Sequence, residues 1–280
     1  MRLLDLNLVT EAVKNMLIDA CENIPVNVIE RLKEAKEKEA SPLGKSILDQ
    51  IIENDLLAAR RNVPICQDTG MVVCFLEIGS QVVFEGDIYE AVNQGVRNAY
   101  IDGFLRKSVV RHPLDRVNTK DNTPAVIHTK IVPGETVKIT VAPKGAGSEN
   151  MSLVKMLIPA DGIEGIKKLV LDTVFNAGGK PCPPIIVGIG LGGNLEKAAM
   201  LAKEAVLREI DDEATDPLAR KLEQELLQEI NDLGVVRWDW AEPLPLWRLR
   251  SISILATLQV CRLQSIFNAM PPVTRAWFCR

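Results

Sequence analysis

Apolar positions recur at three- and four-residue steps over the start of this chain. That spacing over Leu8 to Ile18 and over Val26 to Lys36 predicts two amphipathic helices. Ser41-Pro42 reads as an N-cap followed by proline at the first helical position, so a third helix is expected from there to about Arg61. Pro64 disfavours helix at Val63, and the chain is expected to leave the helix there. Met71 to Ile78 is an apolar run with the length of a buried strand. Asp87 to Phe104 returns to the helical period, with Ile88, Ala91, Val92, Val96, Ala99 and Tyr100 on one face. Val126 to Val132 and Thr136 to Ala142 alternate as strands do, and Pro133-Gly134-Glu135 joins them as a turn. Further on, Asp161 to Phe175 reads as a helix, Ile185 to Leu191 as a buried strand, and Leu195 to Ile210 as a helix. Asp216-Pro217 caps a last helix that Gly234 closes. The prediction is a mixed α/β fold, with a helical part over 1–62 and a mixed sheet with flanking helices over 63–234.

The composition breaks after Gly234. All 18 glycines lie at or before that residue, and all four tryptophans, Trp238, Trp240, Trp247 and Trp277, lie after it. The last lysine is Lys221, and residues 235–280 carry six arginines against two acids. This segment shows no clean helical or strand period with caps, so it is expected to be irregular.

Composition also narrows the class. The 280 residues suffice for one large or two small domains with a sizeable core. Hydrophobic residues make up 47% and charged residues 25%, as in soluble globular proteins. Net charge is −4 without a basic run, which argues against a nucleic-acid partner. No apolar run approaches a membrane span, and Met1-Arg2-Leu3-Leu4-Asp5 lacks a signal peptide's apolar centre. Six cysteines are too sparse for a disulfide scaffold, so a reducing cytoplasm is expected.

Two short segments carry candidate chemistry. Pro64-Ile65-Cys66-Gln67-Asp68-Thr69-Gly70 brings a soft metal ligand, an amide, a carboxylate and a turn glycine together. It falls on a helix-to-strand loop, where chemistry is often placed, and Gly70 suits an unusual backbone angle. The same residues also read as a buried thiol beside a turn-forming Asp. In Gly178-Gly179-Lys180-Pro181-Cys182-Pro183-Pro184 a second cysteine stands between prolines, on what reads as a stiff, extended loop. A metal ligand needs such a fixed direction; a cysteine in an ordinary proline turn is the alternative. In Lys144-Gly145-Ala146-Gly147-Ser148-Glu149-Asn150, glycines allow close backbone approach and successive N–H groups can bind an anion. A flexible connector is the other reading. Gly188-Ile189-Gly190-Leu191-Gly192-Gly193 invites a dinucleotide reading, but it lacks the full Rossmann spacing and a ribose-binding acid roughly twenty residues on. Arg106, Lys107 and Arg111 cluster with His112-Pro113, and Glu30 to Glu39 reads as a solvated face.

Four segments occur in one order: Cys66-Gln67-Asp68-Thr69-Gly70, Asn122-Thr123-Pro124-Ala125, Lys144 to Asn150, and Lys180-Pro181-Cys182-Pro183-Pro184. Together they resemble the α subunit of the two-subunit class I fumarase and L-tartrate dehydratase family, from about the N-terminus to Gly234. The resemblance implies an oxygen-sensitive hydro-lyase with a [4Fe-4S] cluster held by three cysteines. One iron stays open to act as a Lewis acid on a small hydroxy-dicarboxylate, malate or tartrate. It implies a separate β subunit in an α2β2-type hetero-oligomer. It further implies Cys66 and Cys182 as cluster ligands and Gln67 and Asp68 at the substrate, with Asp68 the candidate proton-transfer group. Arg106 matches a substrate-carboxylate arginine; a solvated charge is its alternative. Gly145, Gly147 and Ser148 match the substrate loop. Cys74 reads as a core thiol. Fumarate against tartrate stays open. So do a non-catalytic assembly subunit that docks β without a cluster, and a nucleotide-binding oxidoreductase built on Gly188 to Gly193.

The tail bears on the same cluster. Back-translating residues 235–280, and reading each codon from the last base of the one before, permits a phrase that includes HIASLPVAVNIQCHA. That phrase resembles the normal end of the family, so 235–280 reads as an out-of-frame tail. On this reading the third cluster cysteine would lie under the codons of Asn268 and Ala269, and a family histidine under Ala256 and Thr257. Neither is present, and Cys261 and Cys279 do not match the family position. The expected activity of this chain is therefore impaired.

Overall fold

The computed structural model describes residues 2–182 and 184–233, together with the backbone of 248–253, 261–268 and 275–279. The chain opens with β1 (Arg2–Leu3), α1 (Leu6–Glu22), α2 (Val26–Lys38) and α3 (Pro42–Arg61), then β2 (Met71–Gly79), β3 (Val82–Val83) and α4 (Ile88–Asp102). Next come β4 (Val126–Val132), β5 (Val137–Lys144), α5 (Ala146–Glu149), β6 (Leu153–Leu157) and α6 (Gly162–Ala177). The last elements are β7 (Ile186–Leu191), α7 (Leu195–Ala205), α8 (Pro217–Asp232) and three strands beyond Gly234: β8 (Arg248–Ser253), β9 (Cys261–Asn268) and β10 (Arg275–Cys279). Two compact units result. One comprises Met1–Ile24, Glu53–Ala146 and Pro272–Arg280, the other Pro25–Ile52 and Gly147–Pro271.

The first unit is a four-stranded sheet in the order β10-β5-β2-β4, covered on one face by α1 and α4. Asp5 caps α1 by accepting the Asn7 N–H at 2.9 Å, and Asp87 caps α4 by accepting the N–H groups of Tyr89 and Glu90. Val72, Cys74, Leu76 and Ile78 point from β2 into a core with Val9, Val13, Leu17, Val92, Val96 and Tyr100. Fully burying each such aliphatic side chain contributes about 1.5–3 kcal/mol. Gly95 lets the two helices close up, since a Cβ there would stand 2.7 Å from the Thr10 carbonyl.

The strands around Pro133-Gly134-Glu135 form as expected but do not pair with each other. β2 lies between them, parallel to β4 and antiparallel to β5. The turn crosses the end of β2: Ser80 donates to the Val132 carbonyl at 2.7 Å and Gln81 to the Gly134 carbonyl at 3.0 Å. A Cβ on Gly79 would meet Gly134 O at 2.4 Å, so glycine is required under that crossing.

The second unit centres on β7, in a sheet ordered β6-β9-β7-β8. Every position from Ile186 to Gly190 is buried. Val187 and Ile189 meet α6 and α8 through Val170, Val174, Leu226 and Ile230, while Ile186 meets α7. Gly188 and Gly190 lie under α7, where added Cβ atoms would approach the Ala202 and Ala198 carbonyls at 2.4 and 2.1 Å. Close strand–helix packing therefore accounts for these two glycines of the Gly188 to Gly193 run. α7 ends at Ala205, short of Ile210. Leu207 and Arg208 make tighter bonds to Glu204 and Ala205, and Arg208 turns to Asp212 and Glu223.

The segment expected to be irregular contains three strands. β10 pairs with β5, β9 lies between β6 and β7, and β8 lies beside β7. Strand pairing uses backbone groups that almost any sequence supplies, and a buried strand such as β7 requires partners for its N–H and C=O groups. The last helix forms as read, with Asp216 accepting the Ala219 N–H at 2.8 Å; its closing residue, Gly234, lies outside the described residues.

Candidate functional site

In the first unit, α3 delivers the chain to Cys66 through a helix end that its sequence dictates. Asn62 adopts φ +52°, and Val63 N–H returns to the Ala58 carbonyl, so the helix is closed before Pro64. Ile65 is then held on both sides: its N–H donates to Cys21 O at 2.9 Å and its carbonyl accepts from Asn54 at 3.0 Å. Cys66 is half-buried. Its sulfur accepts the Asp68 N–H at 3.4 Å and lies 3.5 Å from the Gln67 amide oxygen. Gln67 is exposed.

Asp68 is aimed by two backbone donors. Gly70 N–H reaches Oδ1 at 3.2 Å, and Ala146 N–H reaches Oδ2 at 3.0 Å. The two segments fit closely. Gly70 has φ +61°, and a Cβ there would stand 2.1 Å from Lys144 O; one on Gly145 would meet Asp68 Oδ2 at 3.1 Å. The sequence reading offers the N–H groups of the Lys144–Asn150 loop to a bound anion. The structure shows that the Ala146 N–H is taken by this chain's own carboxylate.

Arg106 is exposed, and its main-chain carbonyl accepts the Thr69 hydroxyl at 3.0 Å. Two further groups escaped sequence reasoning. Tyr100 donates to the carbonyl of Thr69 at 2.7 Å and lies 3.2 Å from that of Gly70. Asn122 bonds Ser108, Val109 and Gly70. Tyr100 sits on the apolar stripe of α4 and gave no polar signal. Asn122 lies in the Asn-Thr-Pro-Ala segment, which marked it without giving a role.

In the second unit, Gly147 lies against the cysteine-bearing turn, with a Cβ there 3.2 Å from Lys180 O. Ser148 is buried. Cys182 is exposed, and its loop is not extended: φ is +58°, and its N–H bonds Gly179 O at 3.1 Å. The Gly178-Gly179 pair lets the chain reverse directly after α6, which folds the following residues into a tight turn. A left-handed cysteine stores about 1–3 kcal/mol of strain, a feature found at functional sites.

The fumarate hydratase (fumerase) family model matches residues 10–235. A Methanocaldococcus jannaschii protein named "Putative L(+)-tartrate dehydratase subunit alpha" is 45% identical over 234 residues, covering 81% of this chain and 82% of that protein. The L(+)-tartrate dehydratase subunit alpha of Escherichia coli O157:H7 is 34% identical over 233 residues, covering 82% and 77%. This chain belongs to the class I fumarase/tartrate dehydratase α-subunit family. Its family is one of hydro-lyases, which places the segments around Cys66, Asp68 and Cys182 in an enzyme rather than in a nucleotide-binding module.

The thiols of this family member separate by environment. Burial pushes Cys74 up to about 12, and burial reinforced by Glu22 and Cys66 does the same for Cys21, so both are protonated core groups. Among the residues whose side chains are described, Cys66 and Cys182 are the accessible thiols. An N–H donated to sulfur, as at Cys66, suits a cluster thiolate. Among the described residues no three His, Cys, Asp or Glu side chains gather as a metal site. The family resemblance implies three cluster cysteines, and Cys66 and Cys182 are its candidates among the residues whose side chains are described. Also among the described residues, no helix is long and apolar enough to cross a membrane.

Proposed function

We propose that this chain is the α subunit of a cytoplasmic hydro-lyase that dehydrates a hydroxy-dicarboxylate, L(+)-tartrate to oxaloacetate, together with a separate β subunit in an α2β2-type assembly. Malate to fumarate is the comparison reaction. The observation that carries this reading is the Asp68 carboxylate, held by the N–H groups of Gly70 and Ala146 two residues from an accessible thiol. The names of the relatives favour tartrate.

On this reading, two backbone donors set the direction of Asp68 while leaving further lone pairs for substrate. Asp68 takes the proton from the carbon next to the departing hydroxyl, and the same proton, returned to that hydroxyl, lets it leave as water. The enol so formed from tartrate rearranges to the ketone of oxaloacetate. Arg106 pairs with one substrate carboxylate, Gln67 supplies an amide beside it, and Gly145, Gly147 and Ser148 lie along the other carboxylate. Cys66 and Cys182 would each supply one thiolate to a [4Fe-4S] cluster, which when bound would act as a Lewis acid on the departing hydroxyl. The third thiolate is absent because residues 235–280 are out of frame. Family similarity stops at residue 235, between the last glycine, Gly234, and the first tryptophan, Trp238, and this coincidence supports the frame reading. The chain as written is an impaired subunit.

The test is anaerobic co-expression of a frame-restored chain with its β subunit, followed by oxaloacetate formation from L(+)-tartrate and fumarate formation from malate. Tartrate turnover supports the assignment. Activity on neither compound removes it, and malate turnover alone moves it to fumarate.

A further inference from the structure

We propose that Asn122 is a positioning residue, whose single side-chain amide fixes the Arg106 loop against the Cys66–Gly70 loop. The inference rests on the roles given to Arg106 and Asp68 above. Asn122 has no solvent exposure, although Asn side chains are mostly exposed in folded proteins. Its Oδ1 accepts the N–H groups of Ser108 at 2.7 Å and Val109 at 3.1 Å, just beyond Arg106. Its Nδ2 donates to the Gly70 carbonyl at 3.1 Å, just beyond Asp68. One amide therefore bridges two segments that are distant in sequence, through both of its ends.

Other side chains do not replace it. Asp offers the acceptor but no donor for Gly70. Gln is one carbon longer, and leucine offers neither bond. The backbone selects as well: Asn122 has φ +63°, where Asn, Asp and Gly are tolerated and bulkier residues are strained. One more bond crosses the same seam, Thr69 Oγ1 to Arg106 O, and Tyr100 OH anchors the Thr69 carbonyl from α4. Asn122 touches no candidate reacting group. It acts through the main chain that carries Arg106, where a displacement of about 1 Å is enough to cost ~100-fold in rate.

Asn122→Gly and Asn122→Asp both tolerate this backbone, and they separate the two ends of the amide. Hydrogen–deuterium exchange of the full chain is read over 66–71 and 105–110. Asn122→Gly should speed exchange in both segments by about tenfold, through loss of both bonds. Asn122→Asp keeps the acceptor, so 105–110 stays protected while 66–71 loosens. An Asn122→Asp chain with unchanged 66–71, or an Asn122→Gly chain in which only one segment responds, overturns the bridge. L(+)-tartrate titration of the frame-restored chain with its β subunit, and of its Asn122→Gly, Arg106→Ala and double variants, then tests the route. A residue acting through Arg106 leaves the double variant no weaker than Arg106→Ala alone, whereas two additive losses overturn positioning. A frame-restored chain with β that binds no tartrate, while the exchange pattern follows the bridge, contradicts the functional reading and leaves the bridge standing.

Discussion

Replacing Gly70 by alanine tests the packing that brings the Asp68 and Lys144 segments together. Gly70 has φ +61°, and an alanine in that left-handed region costs about 1–2 kcal/mol. The new methyl would stand 2.1 Å from the Lys144 carbonyl oxygen and 2.6 Å from Gly145 N. Both are backbone atoms, and Lys144 is held in the strand pair by Met71, so no flexible side chain can swing aside. Forcing such a contact costs a further ~1–3 kcal/mol. The carbonyl of Gly70 also receives Tyr100 and Asn122, and any shift weakens those bonds. Against this, alanine restricts the unfolded chain and returns about 0.4–1 kcal/mol. The net loss is about 1–5 kcal/mol, from the sum of these terms. Urea unfolding followed by far-UV circular dichroism at low concentration measures it. Gly134→Ala is the comparator, since it combines φ +106° with open space and carries the conformational term without the clash. A Gly70→Ala chain no less stable than Gly134→Ala would refute the close approach.

Asp68→Ala should leave the N–H groups of Gly70 and Ala146 unpaired and cost about 1–2 kcal/mol, discounted for the half-exposed site; in a frame-restored enzyme, turnover should fall by roughly 10²–10⁴. Equal turnover in that variant would remove Asp68 from proton transfer. Asp55 is buried with Oδ2 unpaired, and burial raises its carboxyl from 3.8 to about 6. Because the folded state holds this proton more tightly, the contribution is fully present below about pH 4 and is lost as pH rises through about 6, about 3 kcal/mol at most. Asp55→Asn should accordingly flatten the urea midpoint between pH 4 and 6 and raise stability at pH 7.5, and an unchanged pH slope would show that Asp55 is not its source. Leu226→Ala empties a fully buried position between α8 and β7 and should cost about 2–5 kcal/mol in the same assay.

The helices were legible because periodicity and caps are local: Asp87, Ser41-Pro42 and Asp216-Pro217 each start a helix where the spacing places it. Strand order was not legible. Pro133-Gly134-Glu135 encodes a reversal, but nothing local states that β2 occupies the space between the two strands it joins. The conformation at Cys182 was misjudged for a related reason. Flanking prolines argue for extension, while the preceding glycine pair permits the turn that forms. At the candidate site, Cys66, Asp68 and Gly70 stood out by residue type. Their supports did not, because Tyr100 lies on an apolar helix face and Asn122 acts through contacts remote in sequence. The strands beyond Gly234 were hidden because backbone pairing leaves little trace in side-chain pattern.

On the proposed function, this chain is a hydro-lyase α subunit whose cluster site lacks one thiolate. Iron and acid-labile sulfide, measured after anaerobic reconstitution with the β subunit, test it most directly when the chain as written is set beside a version frame-shifted after codon 234. A full [4Fe-4S] complement and dicarboxylate turnover are expected in the shifted version, with poor solubility, no stable cluster and negligible turnover in the chain as written. A full cluster and normal turnover in the chain as written would contradict it and require a ligand from residues 235–280, with Cys261 the first to replace.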